Sequence, residues 1–216
     1  MSWQTTLYLL PGILLGLTVH EYSHAFCAWK LGDNTARDLG RLTLNPIKHI
    51  DIIGFIFIII AGFGWAKPVQ FNPANLKRPR LDKALIAAAG PLSNFVLGII
   101  LVFSMRGFTF LFYNGYISPD SVAAEHVYYI LFYGATINFG LFIFNLLPIP
   151  PLDGSHIVFS TLNLKPEIEN IIRNVGMQLL LVIIIVQKYV DVTIIPIGKI
   201  VMSLTSFFLG LDLSAI

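Results

Sequence analysis

The sequence is poor in cysteine and in charge, and both shortages narrow the class of protein. Cys27 is the only cysteine among 216 residues, so an intramolecular disulfide is excluded. Charged residues make up 12% of the chain, about half of what a water-soluble domain carries. The formal net charge is +2, which argues against a nucleic-acid partner. No basic run precedes the first apolar segment, so we do not expect a cleavable signal peptide.

Long apolar segments take the place of a charged surface. Hydrophobic residues make up 56% of the chain, and a helix of about 20 such residues crosses a hydrocarbon core of about 30 Å. The segments of this kind are 5–31, 81–105, 126–147, 171–190 and 192–211. They predict an all-α polytopic membrane protein with about five to six transmembrane segments.

The stretch 32–80 differs from the rest, because it mixes charges, glycine, proline and β-prone runs. Its apolar run 50–61 is too short for an ordinary span and suits a re-entrant segment. We therefore predict a small β-rich, re-entrant region between the first and second long spans.

Nine of the 14 Lys and Arg residues lie between positions 30 and 83. The positive-inside tendency puts this region on the cytoplasmic side and the N-terminus outside.

An H-E-x-x-H motif, His20 to His24, lies inside the first apolar segment. Histidines at i and i+4 share one helix face, at the separation that lets both reach one Zn²⁺. Glu21 beside them can take a proton from a metal-activated water, as in zinc hydrolases. A chance match at a helix end is the alternative. Three ionisable side chains in an apolar segment favour a functional site.

A catalytic zinc site normally has three protein ligands, and Asp153 is the candidate for the third. It follows a proline-rich break at 148–151, where irregular backbone can line a cavity. Capping the next helix is an equally good interpretation of Asp153 from these residues alone. Cys27, on the face of His24, and His156, one turn after Asp153, are alternative ligands, although an apolar packing role and an interfacial histidine are the commoner explanations.

Two asparagines, Asn94 and Asn145, lie in apolar segments. An unpaired amide is costly there. Both side chains can therefore bond one helix to another or face the active site.

Five blocks of sequence, in this order, resemble the site-2 protease family of intramembrane zinc metalloproteases. They are HEYSH at 20–24, GRLTLNP at 40–46, GWAKPV at 64–69, AGPLSN at 89–94 and NLLPIPPLDG at 145–154. The resemblance implies that His20, His24 and Asp153 bind one catalytic Zn²⁺, with Glu21 as the base. It also favours contact of Asn94 and Asn145 with the substrate backbone or the cleft.

The same resemblance implies a short form without PDZ or CBS domains. We expect one domain over 1–216, with a catalytic core at 1–162 and a C-terminal transmembrane hairpin at 163–216. The implied activity is zinc-dependent cleavage of transmembrane protein substrates in the bilayer, in the plasma membrane of a prokaryote, with the site towards the cytoplasm. A catalytically inactive relative that binds membrane helices is an alternative, disfavoured because zinc binding does not need Glu21. A metal transporter is a third, disfavoured because the intramembrane ionisable groups gather at one depth.

Overall fold

The computed structural model describes residues 3–61, 64–118, 120–162, 164, 166–190 and 193–210, which form helices joined by turns. The helices are α1 (Trp3–Lys30), α2 (Thr35–Asp38), α3 (Ile52–Ala61), α4 (Pro79–Tyr113), α5 (Val122–Asn145), α6 (Asp153–Leu162), α7 (Pro166–Tyr189) and α8 (Ile197–Leu209). Two 3₁₀ turns, Pro46–Lys48 and Pro73–Asn75, lie in the segment between α2 and α4.

Helices α1, α4 and α5 form the centre of the molecule. Gly12 lies against Gly134, and a Cβ on Gly12 would come within 2.6 Å of the Gly134 Cα, so the backbones of α1 and α5 approach closely. The Asn94 amide of α4 donates to the Gly16 carbonyl at 3.0 Å and to Oδ1 of Asn138 at 2.9 Å. These bonds satisfy buried amides and lock the three helices in register.

The contacts also define the helix directions. Gly12 and Gly16 of α1 meet Gly134 and Asn138 of α5, so α1 and α5 run parallel. Gly16 accepts a hydrogen bond from Asn94 of α4. His24, which lies further along α1, is hydrogen-bonded to Ile86, which lies nearer the start of α4. Helix α4 therefore runs antiparallel to α1. The end of α1 and the start of α4 therefore lie at the same end of the bundle.

Three of the described helical segments are long and apolar enough to cross a membrane: Pro79–Tyr113, Val122–Asn145 and Glu167–Gln187. This number replaces the five to six spans that we predicted. Helix α8 is apolar but has 13 residues, or about 20 Å at 1.5 Å per residue, which is short of a hydrocarbon core. It packs against α5 and α4. The all-α character of the prediction is confirmed.

The predicted β-rich region is wrong, because the described part of 32–80 contains no strand. Its one β-bridge joins Ile50 to Ala66. Two Asn-Pro pairs explain the difference: the side chains of Asn45 and Asn72 accept hydrogen bonds from Ile47 N–H and Ala74 N–H and start 3₁₀ turns at the prolines. Proline donates no backbone hydrogen bond, so these runs favour turns over a ladder.

The apolar run between the two Asn-Pro pairs is helical. Helix α3 has 10 residues and is therefore about 15 Å long, too short to span. Its large side chains are exposed, Ile52 to 76% and Ile60 to 80%. An uncovered apolar helix of this kind is suited to lipid.

Candidate metal centre and catalytic cleft

Three candidate ligands from two distant parts of the chain converge. Oδ2 of Asp153 lies 3.1 Å from Nε2 of His20 and 3.5 Å from Nε2 of His24. The two Nε2 atoms are 3.0 Å apart. Helix α1 presents both histidines on one face, and α6 begins at Asp153, whose carboxylate faces the histidines. In the described part of the chain, these three residues are the one group of three or more His, Cys, Asp or Glu side chains whose possible ligand atoms lie close together.

The hydrogen bonds behind the histidines decide which nitrogen carries the proton. His20 Nδ1 lies 2.6 Å from Oδ1 of Asn94, and His24 Nδ1 lies 2.7 Å from the Ile86 carbonyl. Both partners are acceptors, since the Asn94 amide nitrogen already donates elsewhere. Each Nδ1 must therefore donate, which leaves the Nε2 lone pair free in a neutral ring.

This arrangement fits a metal ion. With both Nδ1 atoms protonated, two Nε2 lone pairs and one carboxylate oxygen face a common point at the distances given above. Three acceptors at such separation repel one another unless a cation lies between them. Two imidazoles, one carboxylate and an open fourth side are the donor set of a catalytic zinc site. Outward hydrogen bonds from the rings are the usual support for such ligands.

Glu21 lies beside this donor set without belonging to it. Its side chain is 7% exposed, and its Oε2 accepts a hydrogen bond of 2.9 Å from the Val69 N–H. That bond orients the carboxylate, and its other oxygen has no hydrogen-bond partner in the described part of the chain. The free oxygen is thus available to accept a proton.

A buried arginine holds the backbone that contacts Glu21. Arg41 donates to the Lys67 carbonyl at 2.5 Å and to the Pro68 carbonyl at 3.3 Å. Burial lowers the pKa of Arg41, and the negative charge of Glu21 opposes that shift. The guanidinium thereby fixes the two residues before Val69 and aims the Val69 N–H at the carboxylate.

The metal-donor atoms and Glu21 open into a cleft of about 400 Å³. Asn145 lines this cleft, where its Nδ2 donates to the Leu141 carbonyl at 3.0 Å. Asn94 is fully buried and lies behind His20, with all its described hydrogen bonds inside the protein. The structure thus brings Asn145 to the cleft and Asn94 to the candidate ligand His20, and substrate contact by either asparagine stays a prediction.

The two alternative ligands lie outside the donor group. Cys27 is half-buried and packs with Ala28, Leu76 and Ile86, as a small apolar side chain does. His156 lies at the edge of the cleft, with Nδ1 3.4 Å from an Arg173 nitrogen. Neither joins the convergent donor atoms.

Sequence reasoning missed three residues that build this site. Arg41 was noticed only within a motif, because its partners lie 26 and 27 positions away. Asn138 carries the same signal as Asn94, an amide in an apolar helix, and could have been found by it. Gly90 lies against both rings: a Cβ there would come within 2.7 Å of the His20 Cε1 and 2.6 Å of the His24 Cε1.

The donor set is that of a zinc peptidase, and comparison with known proteins gives the same class. The chain belongs to Peptidase family M50, whose profile matches residues 8–183. The Bacillus subtilis (strain 168) protein described as "Putative zinc metalloprotease YwhC" is 44% identical over 153 residues, which cover 70% of this chain and 67% of that protein. No solved structure matches the chain significantly.

A second relative is more distant. The Mycolicibacterium smegmatis protein described as "Putative zinc metalloprotease Rip2" is 33% identical over 151 residues, which cover 68% of this chain and 54% of that protein. The match thus spans about two thirds of the first relative and about half of the second. The predicted resemblance, the metalloendopeptidase class and the zinc cofactor are confirmed by the family and by the donor group. The family and the three apolar helices make the chain an integral membrane protein.

Proposed function

We propose that this chain is an intramembrane metalloendopeptidase that hydrolyses peptide bonds within or near the transmembrane helices of substrate proteins. The observation that carries the proposal is the convergence of His20, His24 and Asp153 beside α4, a helix long and apolar enough to span. Peptide segments that reach a site between such helices are themselves in or near the membrane.

Each side chain of the site has a role in this proposal. His20, His24 and Asp153 hold one Zn²⁺. Bound there, zinc supplies Lewis-acid chemistry, which polarises the scissile carbonyl and lowers the pKa of the attacking water towards about 7. Glu21 takes the proton of that water on the oxygen that Val69 leaves free, and then gives it to the leaving amine.

Asn145 is the proposed contact for the substrate backbone. A transmembrane helix must unwind locally before hydrolysis, and its freed N–H and C=O groups then need partners. Asn145 lines the cleft, and its side-chain oxygen has no hydrogen-bond partner among the residues that the structure describes. That oxygen can accept a bond from an unwound substrate N–H.

The proposed orientation places the site in the plasma membrane of a prokaryote, open towards the cytoplasm. His24 lies six residues before Lys30, or about 9 Å along the helix. Because α1 and α4 are antiparallel neighbours, the basic segment 32–80 begins and ends at one end of the bundle, which the positive-inside tendency makes cytoplasmic. This supports entry of α3 into the membrane without a crossing.

The replacement Glu21→Gln tests the proposal. It removes the proton acceptor and keeps the shape and all three metal ligands. We expect zinc content equal to that of the wild type and a loss of about 100-fold or more in cleavage of a membrane-embedded substrate. Glu125→Gln, at the start of α5 and far from the cleft, is the control and should keep full activity. Substantial turnover by Glu21→Gln would exclude the general-base role.

A further inference from the structure

A second pocket adjoins the catalytic cleft at the end of the bundle where α4 begins. It encloses about 340 Å³ between the start of α4, helix α6 and the start of α7. Phe71, Lys83 and His156 line both this pocket and the catalytic cleft. The two spaces are therefore adjacent, with these three side chains between them.

The pocket has an excess of positive charge. Arg80, Lys83 and Arg173 line it, and Glu169 is the one carboxylate among the described residues of its lining. Glu169 is paired with Arg173 through a bond of 3.1 Å to Nε. Within the described part of the chain, Arg80 and Lys83 have no carboxylate at ion-pair distance. Arg80 is exposed and Lys83 is half-buried, so both cationic groups are free to pair with an anionic ligand.

Arg173 is held in place before any ligand arrives. It lies over the Phe159 ring at 5.3 Å, and its ion pair with Glu169 joins successive turns of α7. One of its nitrogens is 3.4 Å from His156 Nδ1. Helix α6 carries both His156 and Asp153, so the basic pocket has a fixed position relative to the metal-donor atoms.

We propose that this pocket, the basic subsite, binds an Asp or Glu side chain of the substrate. The proposal rests on the function proposed above. His156 lies three residues after Asp153 on α6, about 5 Å along the helix, and an extended peptide advances about 3.3 Å per residue. His156 is thus about 1.5 extended residues from the metal-donor atoms, and the pocket continues beyond it, so the acidic side chain belongs at least two residues from the scissile bond. A carboxylate suits the ammonium of Lys83 and the guanidinium of Arg80.

The test is a charge exchange between enzyme and substrate. The zinc-loaded full chain in vesicles is given one transmembrane substrate with Glu, Gln or Lys at two to four residues from the mapped cut. We expect the wild type to favour Glu over Lys by about tenfold in kcat/KM, mainly through KM. The double variant Arg80→Glu, Lys83→Glu should reverse that preference. The double variant Lys48→Glu, Lys77→Glu also reverses two exposed positive charges, but outside the pocket, and it should keep the preference of the wild type.

Three results would overturn the basic subsite. The first is equal kcat/KM of the wild type for the three substrates. The second is an equal loss for all three substrates in the double variant, which a structural role would give. The third is dependence on phosphatidylglycerol in the vesicles, lost in the double variant, without any effect of substrate charge. That result would assign the pocket to a lipid phosphate.

Binding of the same substrates to Glu21→Gln separates this inference from the proposed function. We expect the Glu substrate to bind more tightly than the Lys substrate even when no bond is cut. A wild type that binds with this preference but cuts nothing would refute the protease and keep the subsite. A wild type that cuts all three substrates equally would refute the subsite and keep the protease.

Discussion

Replacement of Gly90 by alanine is a sharp test of the metal centre, because the added methyl group enters the space of two ligands at once. Its carbon would lie 2.7 Å from the His20 Cε1 and 2.6 Å from the His24 Cε1, almost 1 Å closer than the roughly 3.5 Å of a comfortable contact. The rings cannot simply withdraw from α4, since their Nδ1 atoms are held by short hydrogen bonds to Asn94 and Ile86 of the same helix, each one turn from Gly90.

The magnitude follows from this geometry. Changes in the groups that merely support a metal ligand cost about 10- to 100-fold in metal affinity. Gly90→Ala displaces two ligands directly, so we expect at least the upper value, about 100-fold or roughly 2.7 kcal/mol. Overpacking adds strain of about 1–3 kcal/mol to the folded state. Competition with a chromophoric chelator measures the zinc affinity, and thermal unfolding in detergent measures the stability.

A matched control lies on the same helix. Gly107 of α4 has open space where a Cβ would be, so Gly107→Ala should leave zinc affinity unchanged and stabilise the helix by up to about 1 kcal/mol. If Gly90→Ala bound zinc as tightly as the wild type, the metal would not lie between the two rings, and the assignment of His20 and His24 would be refuted.

Two further predictions concern buried polar groups. Asn94→Ala should lower zinc affinity about 10- to 100-fold by removing the acceptor behind His20, and Asn94→Asp should restore part of it; chelator competition that gives equal affinities would contradict this. Burial raises the pKa of Asp33, but hydrogen bonds from Thr35, Asn75 and Asn72 outweigh burial and lower it overall. Asp33→Asn should therefore reduce the free energy of unfolding by about 1–3 kcal/mol at neutral pH. Because a lowered folded pKa stabilises above the unfolded value of about 3.9, this difference should shrink as the pH falls through the folded pKa; a difference independent of pH would exclude the role.

The segment between α1 and α4 marks where pattern reasoning went wrong. Valine, threonine and aromatic residues between prolines are typical of short strands, and the prediction of a β-rich region rested on these propensities. The competing signal was local: an asparagine before proline bonds its own backbone and starts a turn. The carbonyls of Lys67 and Pro68, which a neighbouring strand would otherwise pair, are bonded by Arg41. That partner lies too far away in sequence to be read from the pattern.

The membrane class, the helical character and the family could be predicted from the amino-acid sequence alone, because hydropathy, the H-E-x-x-H spacing and the ordered motifs are local properties of the chain. The sequence also named His20, Glu21, His24 and Asp153 as candidates. The packing of the helices was needed to see that Asp153 reaches both histidines and that Asn94 holds the ring of His20. These facts depend on how helices distant in sequence pack, and a periodicity of 3.6 residues defines a face without defining which residue it meets.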